Sequence, residues 1–338
     1  MLRAGYQGVM TVNTTQTLTR PATPRGAVPR PEHPAVIAGP RPRPSASAGD
    51  LIRAYLSVHA HTLTSLESAV RADEYDSVHQ MRVAVRRLRA TLRTFDQVIP
   101  HVHSEHLDTE LQWLGRVLGH ARDAEVLAGH LRDSLRPTPS ELLIGPVQAR
   151  IQGHYAPRRA DARAALLEAL DSPRYARLLA ELDRVVAGPP RGPQAAAPAR
   201  DVLPPVVRRT YRQAKRRMRR ARHAPAGPAR DLALHQARKS ARRARYAAEA
   251  AAPAAGRPAR KFARGMKRVQ SVLGDHHDTV LARQAARDLG IGAHLAGENA
   301  FTYGLMYEHE LHRAEQRQAD ARRVWKRAAR PRRRRWMN

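Results

Sequence analysis

The chain has 338 residues with 60 Lys and Arg against 30 Asp and Glu, a formal charge of +30, and self-repulsion on that scale calls for an acidic partner such as nucleic acid, inorganic polyphosphate or an anionic membrane surface. Cysteine is absent, which excludes a disulfide framework, thiol catalysis and a cysteine-ligated metal, and fits a reducing cytoplasm. No apolar run approaches the roughly 20 residues of a membrane span or forms a signal-peptide core, so a soluble cytoplasmic protein without membrane contact is expected.

Residues 1 to 47 are rich in Pro, Arg, Thr and Ala and lack a helical apolar period, which predicts a disordered basic tail. Beyond it apolar residues recur at three and four positions and predict helices over 49–72, 75–98, 103–135 and 139–170, with a shorter extra helix at 173–187. Gly188 to Pro198 reads as a linker, taken as 188–199, between a first helical half, 48–187, and a second, 200–330. The second half predicts helices over 202–223, 231–251, 258–289 and 294–329, and across both halves interruptions fall near Pro100, Pro137, Pro225, Pro253 and Gly290. Pro331 and the run Arg332 to Arg335 end the last helix, leaving 331–338 as a basic tail. With aromatic content of only 4%, Leu, Val and Ala must build the core, and the class is all-α with long helices.

An internal repeat organises this list. Val78 to Arg89 aligns without a gap over Leu234 to Arg245, sharing His-x-x-Arg-x-x-x-Arg-Arg-x-Arg, and roughly thirty residues later Leu118-Gly119-His120-Ala121-Arg122-Asp123 matches Leu273-Gly274-Asp275-His276-His277-Asp278. Two four-helix bundles related by duplication about a pseudo-twofold axis are the simplest explanation. The 173–187 helix is then an insertion.

On a helix His79, Arg82, Arg86, Arg89 and Arg93 fall within an arc of roughly 80°. Val78, Met81, Val85, Leu88 and Leu92 make the neighbouring apolar stripe, so the basic row flanks the core side. His235, Arg238, Arg242 and Arg245 repeat the row, with Glu249 in place of Arg93 and placed to bind one of those arginines. Arg87 and Arg243 are expected to point into solvent. A row of like charges weakens a helix, and a chain of phosphates offsets it, since each non-bridging oxygen accepts from a guanidinium fork.

The paired His/Arg helices and paired Leu-Gly-x-x-x-Asp segments resemble the CHAD family (conserved histidine α-helical domain) over about residues 49 to 329. The resemblance implies a pair of four-helix bundles around a basic channel or surface that binds inorganic polyphosphate without catalysis, at intracellular polyphosphate granules. Carried across by position, its binding residues are His79, Arg82, Arg86 and Arg89, then His235, Arg238, Lys239, Arg242 and Arg245, with Lys267 as a further basic position whose first-half counterpart is Gln112. Some relatives join this domain to a triphosphate-tunnel domain; residues 1 to 47 lack that domain's alternating Glu and Lys strands.

Other readings stay open. Asp123 and Asp278 serve to hold arginines rather than to catalyse, and His79 and His235, lying after Ser77 and Asp231, have a structural role near a helix start as their alternative. His276-His277-Asp278 is of the kind that binds a divalent metal in phosphohydrolases, but no partner ligand set accompanies it, so no metal and no cofactor is expected. Trp113, Trp325 and Trp336 are too scattered for a stacking platform, and Trp113 and Trp325 are read as core or bundle-end residues. The rival functions are non-specific nucleic-acid binding, which also stands as a secondary polyanion activity, and a metal-dependent polyphosphate phosphohydrolase.

Overall fold

Three- and four-residue apolar spacing becomes helix throughout the computed structural model, which describes residues 46–99, 101–188 and 192–338, leaving aside the side chains of 101–103 and 124. The predicted tail therefore lies outside the described residues apart from Ala46 and Ser47. Ser47 starts α1 (Ala48–Ser65) by accepting the Asp50 N–H at 3.1 Å on its Oγ, as N-cap serines do. A short α2 (Glu67–Arg71) follows, and Asp73 and Asp76 turn the chain with φ of 54° and 61°. Arg163, from α5 (Val147–Asp171), braces that turn by donating to the carbonyls of Val70 and Arg71. The turn aims α3 (Ser77–Leu92), which packs on α1 and α4 (His101–Leu135).

The predicted extra helix is α6 (Pro173–Ala187), whose start is fixed by Ser172 Oγ, accepting from Tyr175 N–H, and by Pro173. The predicted linker is not loose where it is described. Gly192 and Gln194 donate to Val98 and Gln97 carbonyls, and Ala195 and Ala197 accept from Gly49 and Ala48. A Cβ on Gly192 would stand 2.5 Å from the Val98 backbone, so only glycine fits there.

The second half contains α7 (Ala199–His223), α8 (Pro228–Leu295) and α9 (Phe301–Ala328). The two helices expected at 231–251 and 258–289 are the arms of α8, broken at Gly256 (φ 66°, ψ −145°) rather than at Pro253. Pro258 then sits in the first turn of the second arm, where its missing N–H costs no hydrogen bond. Gly290 does not interrupt the helix either. A Cβ there would meet Tyr303 Cβ at 3.0 Å, so this glycine lets α9 approach.

The expected basic tail is folded back. Residues 331–337 form two 3₁₀ turns (Pro331–Arg333 and Arg335–Met337) against α8, the second also touching α7. Met337 is buried, Trp336 packs edge-on to Phe262 at 6.2 Å, and Arg334 lies over the Tyr211 ring at 4.9 Å. Trp325 stacks on Tyr211 at 6.0 Å. Two of the tryptophans expected to be scattered thus share one internal aromatic cluster, while Trp113 lies beneath Arg174.

The all-α class holds, with no strand among the described residues. The halves do not keep separate cores. One apolar cluster runs from Ile52, Leu56, Met81, Val85 and Leu88 to Leu203, Ala241, Phe262 and Met266, and a smaller one joins Leu131, Ile151 and Tyr155 to Leu289, Tyr303 and Met306. The predicted apolar stripe of α3 is its buried face, with Val78 at the half-buried margin.

Gly256 carries the one backbone conformation in α8 that an L-residue resists, and open space surrounds it. Gly256→Ala should therefore act through φ/ψ strain alone and lower unfolding free energy by about 1–3 kcal/mol in a denaturant titration. An unchanged midpoint would show that the break tolerates a side chain.

Candidate functional site

Packing of α3 against the first arm of α8 brings the two basic rows face to face. Arg82 and Arg86 lie within electrostatic reach of Arg238 and Arg242. All four are half-buried, in a recessed cleft rather than on a solvated face. Burial lowers Arg242 to about 10, with Arg86, Arg238 and Arg82 adding to it, and burial likewise lowers Arg238, which Asp278 and Asp275 partly oppose. The Nε atoms of Arg86 and Arg238 are buried without a hydrogen-bond partner. Unmet donors on crowded cations are what an added anion would satisfy.

The companion segments seat these arginines. A Cβ on Gly119 would lie 3.4 Å from the Arg82 guanidinium, and one on Gly274 would lie 3.5 Å from that of Arg238. Arg82 also donates to the Gly119 carbonyl at 3.3 Å and to Asp123 at 2.7 Å. The expectation that Asp123 holds an arginine is met by this bond. On sequence grounds these two glycines serve a close approach of helices or a bend; what lies against each is the guanidinium of an arginine from its paired His/Arg segment.

Other predicted site residues are placed differently. Arg89 is held by Asp108 at 3.0 and 3.2 Å and by Gln112, which accepts at 3.0 Å. Arg245 is buried, donating to Glu249 at 2.6 Å and to Gln270 at 3.4 Å. These two arginines are internal supports. Lys239 and Lys267 are exposed, and His79 is half-buried.

Arg87 and Arg243 do not point into solvent. Burial alone would lower the Arg87 pKa, but Glu249, 3.2 Å away, raises it. Arg243 donates to Gln213 of α7 at 3.1 Å. Beneath the cleft Tyr246 is fully buried, and Arg86, Arg87, Arg242 and Arg245 outweigh its burial to lower its hydroxyl. The Arg87 and Arg245 guanidiniums lie 5.2 and 5.4 Å from its ring, a cation–π arrangement.

The histidines divide. His235 lies 4.3 Å, ring to ring, from His277, with its Nδ1 buried and unpartnered. Burial, with Lys239, Arg238 and Arg242, pushes His235 down to about 4; burial, with His235 and Arg238, pushes His277 down to about 4. His276 turns away, 3.3 Å from Asp231 and from Gln318. Asp231 thus ties His276 and Arg283 together rather than capping a helix. Among the described residues no group of three or more His, Asp or Glu is placed to hold a metal ion, and no helix is long and apolar enough to cross a membrane. A cavity of about 520 Å³ opens elsewhere, lined by Arg150, His154, Asp288 and Glu298 among others, and takes in none of the predicted residues.

A family model described as the CHAD domain matches residues 54–287. Two uncharacterized proteins of Mycobacterium tuberculosis, from strains CDC 1551 and H37Rv, are each 34% identical over 280 residues, or 82% of this chain and 52% of the relative. The chain spans about half the length of those curated relatives. PptA from Streptomyces chartreusis is similar with a TM-score of 0.70 and 20% identity, over 83% of this chain and 100% of that one, a likeness of fold. The crystal structure of the CHAD domain from the plant Ricinus communis aligns with a TM-score of 0.61 and 28% identity, over 84% of this chain and 92% of that one.

Neutral burial of histidine links stability to pH. His59 is pushed down to about 3, by burial and then by Arg87, and His235 and His277 to about 4, all below the ordinary 6.5. The unfolded chain therefore takes up protons first as pH falls, so the stability is complete above about 6.5 and is lost toward about 4. The thermal midpoint should drop between about pH 7 and about pH 5, and His59→Leu should flatten the drop. A midpoint constant over that range would contradict these assignments.

Proposed function

This chain belongs to the CHAD domain family, and from that premise we propose that its arginine cleft binds inorganic polyphosphate without catalysing a reaction on it. The observation that carries the reading is the meeting of Arg86 with Arg238 and Arg242, cations from two distant segments, with the Arg86 and Arg238 Nε donors buried and unpartnered. A linear chain of phosphates fits this arrangement. It is slender enough for a recessed cleft, has no bases to accommodate, and offers oxygens to guanidinium forks on both walls. Arg238 and Arg242 are already largely withdrawn from water, so part of the desolvation is met on folding and binding gains from that pre-organisation.

The supports differ from the contacts. Arg82 is steered by Asp123 and Gly119, while Arg89 and Arg245 are occupied by Asp108 and Glu249. The binding set is therefore Arg82, Arg86, Arg238 and Arg242, with His235 and His277 beside it. Holding the protein at polyphosphate granules is the cellular role that follows. Catalysis has no obvious agent here, because Asp123 is engaged by Arg82 and the histidine pair is surrounded by cations.

Replacing Arg86 and Arg242 together by Ala should weaken polyphosphate binding by on the order of 100-fold or more, since hydrogen bonds to charged groups contribute about 1.5–3 kcal/mol each. Titration of the full chain with labelled long-chain polyphosphate measures this; a loss under threefold would reject the cleft. Release of phosphate from polyphosphate in Mg²⁺ or Mn²⁺ would overturn the non-catalytic reading.

Bound phosphate should also raise the His235 and His277 pKa values from about 4. The complex then holds more protons than the free protein between the two values, so affinity rises as pH falls through the bound-state value. Affinities measured at about pH 8 and about pH 5.5 should show tighter binding at the lower pH. A flat profile would remove the histidines from the site.

A further inference from the structure

Outside the cleft the charge is not evenly spread. From Val202 to Arg230 the chain carries no carboxylate, and it carries none from Ala250 to Gly274. Within the first of these segments, α7 buries Val202, Leu203, Val206, Val207, Tyr211, Ala214, Met218 and Ala221 on one side. The opposite side is left to Arg212, Lys215, Arg216, Arg219, Arg220 and Arg222, all exposed. None of these six has a carboxylate partner among the described residues. They recur at steps of three and four between Arg212 and Arg222, a basic face about 15 Å long on the C-terminal half of a helix of 25 residues.

This face differs from the cleft in shape and in the state of its cations. Its guanidiniums are solvated and project from an outer helix, with one shallow hollow of about 210 Å³ lined by Gln213, Arg216, Arg217 and Arg220. A broad polyanion can lie across it, and the cations, spread over about 15 Å of helix axis, cover a little under half a turn of a nucleic-acid duplex. The only aromatic side chain of α7, Tyr211, is buried beneath Arg334. Without an exposed Phe, Tyr or Trp the face lacks the platform on which unpaired bases usually stack. A duplex needs no such platform, because its phosphates face outward at about one charge per 1.7 Å of axis.

We propose that the exposed face of α7 is a second polyanion site, separate from the cleft, which holds the phosphate backbone of duplex nucleic acid without reading its sequence. It uses no cleft residue and stands whether or not polyphosphate occupies the cleft.

The test compares the wild-type full chain with an Arg212→Gln, Arg216→Gln, Arg219→Gln variant, using a fluorescent DNA duplex of about two turns over a salt series. The variant should bind the duplex at least tenfold more weakly, with the slope of log affinity on log salt reduced by about 2 to 3. Its melting midpoint should match that of wild type and its polyphosphate affinity should stay within about twofold, and Arg→Lys at the same three positions should retain the duplex. The Arg86→Ala, Arg242→Ala cleft variant should bind duplex as wild type does. Duplex affinity untouched by the Gln variant, or lost equally with the cleft variant, would overturn the proposal.

Discussion

Repulsion among guanidiniums where α3 meets the first arm of α8 is the constraint around which the fold is arranged. Each cleft arginine directly follows a buried apolar residue: Arg82 follows Met81, Arg86 follows Val85, Arg238 follows Ala237 and Arg242 follows Ala241. One residue is about 100° on a helix. Packing the apolar positions together therefore swings the next positions toward one another at the edge of the contact. Alanines at 237, 241, 244 and 248 on α8 keep the interface narrow, so the same burial that stabilises the core holds the cations close.

The remaining charges divide the work. Asp108 and Glu249 neutralise Arg89 and Arg245, and Glu249 also holds Arg87 from the other half. Breaking such half-buried pairs would leave a charge without a partner, so they fix the geometry rather than offer it to a ligand. Elsewhere in the rows the neutralisation is uneven. Arg82 keeps Asp123, while Arg86 and Arg238 retain buried donors without partners. In the proposed function, this unevenness is what gives an anion its place between the rows.

Much of this was legible in the sequence, and what was missed has a common cause. Periodicity gave α6 its bounds, the buried stripe of α3 and most helix starts within a few residues. The repeat paired each arginine row with its Leu-Gly segment, and chemistry identified Asp123 as a holder of arginine. Helix phase, however, states only the angle of a side chain and not what occupies that side. Arg87 and Arg243 were assigned to solvent because Glu249 lies 162 residues from the first and the second meets a side chain on another helix. The same gap hid the pairing of Arg89 with Asp108, whereas Glu249 binds Arg245, one of the arginines its place in the row put within reach. Composition misled at the C-terminus, where a run of arginines looked like a tail although Trp336 and Met337 anchor it. Proline misled at 253, since the break in α8 needed the positive φ that glycine alone supplies at 256.

If crowded cations are the organising feature, removing one should strengthen the empty protein while disabling it. Arg86→Met keeps an unbranched apolar stem at this position and deletes the guanidinium charge. Thermal unfolding of this variant, with and without saturating polyphosphate, examines both consequences at once. The account predicts a midpoint above that of the unmodified chain in buffer, and a polyphosphate-induced rise much smaller than the unmodified chain shows. A lower midpoint in buffer combined with an undiminished rise would contradict it.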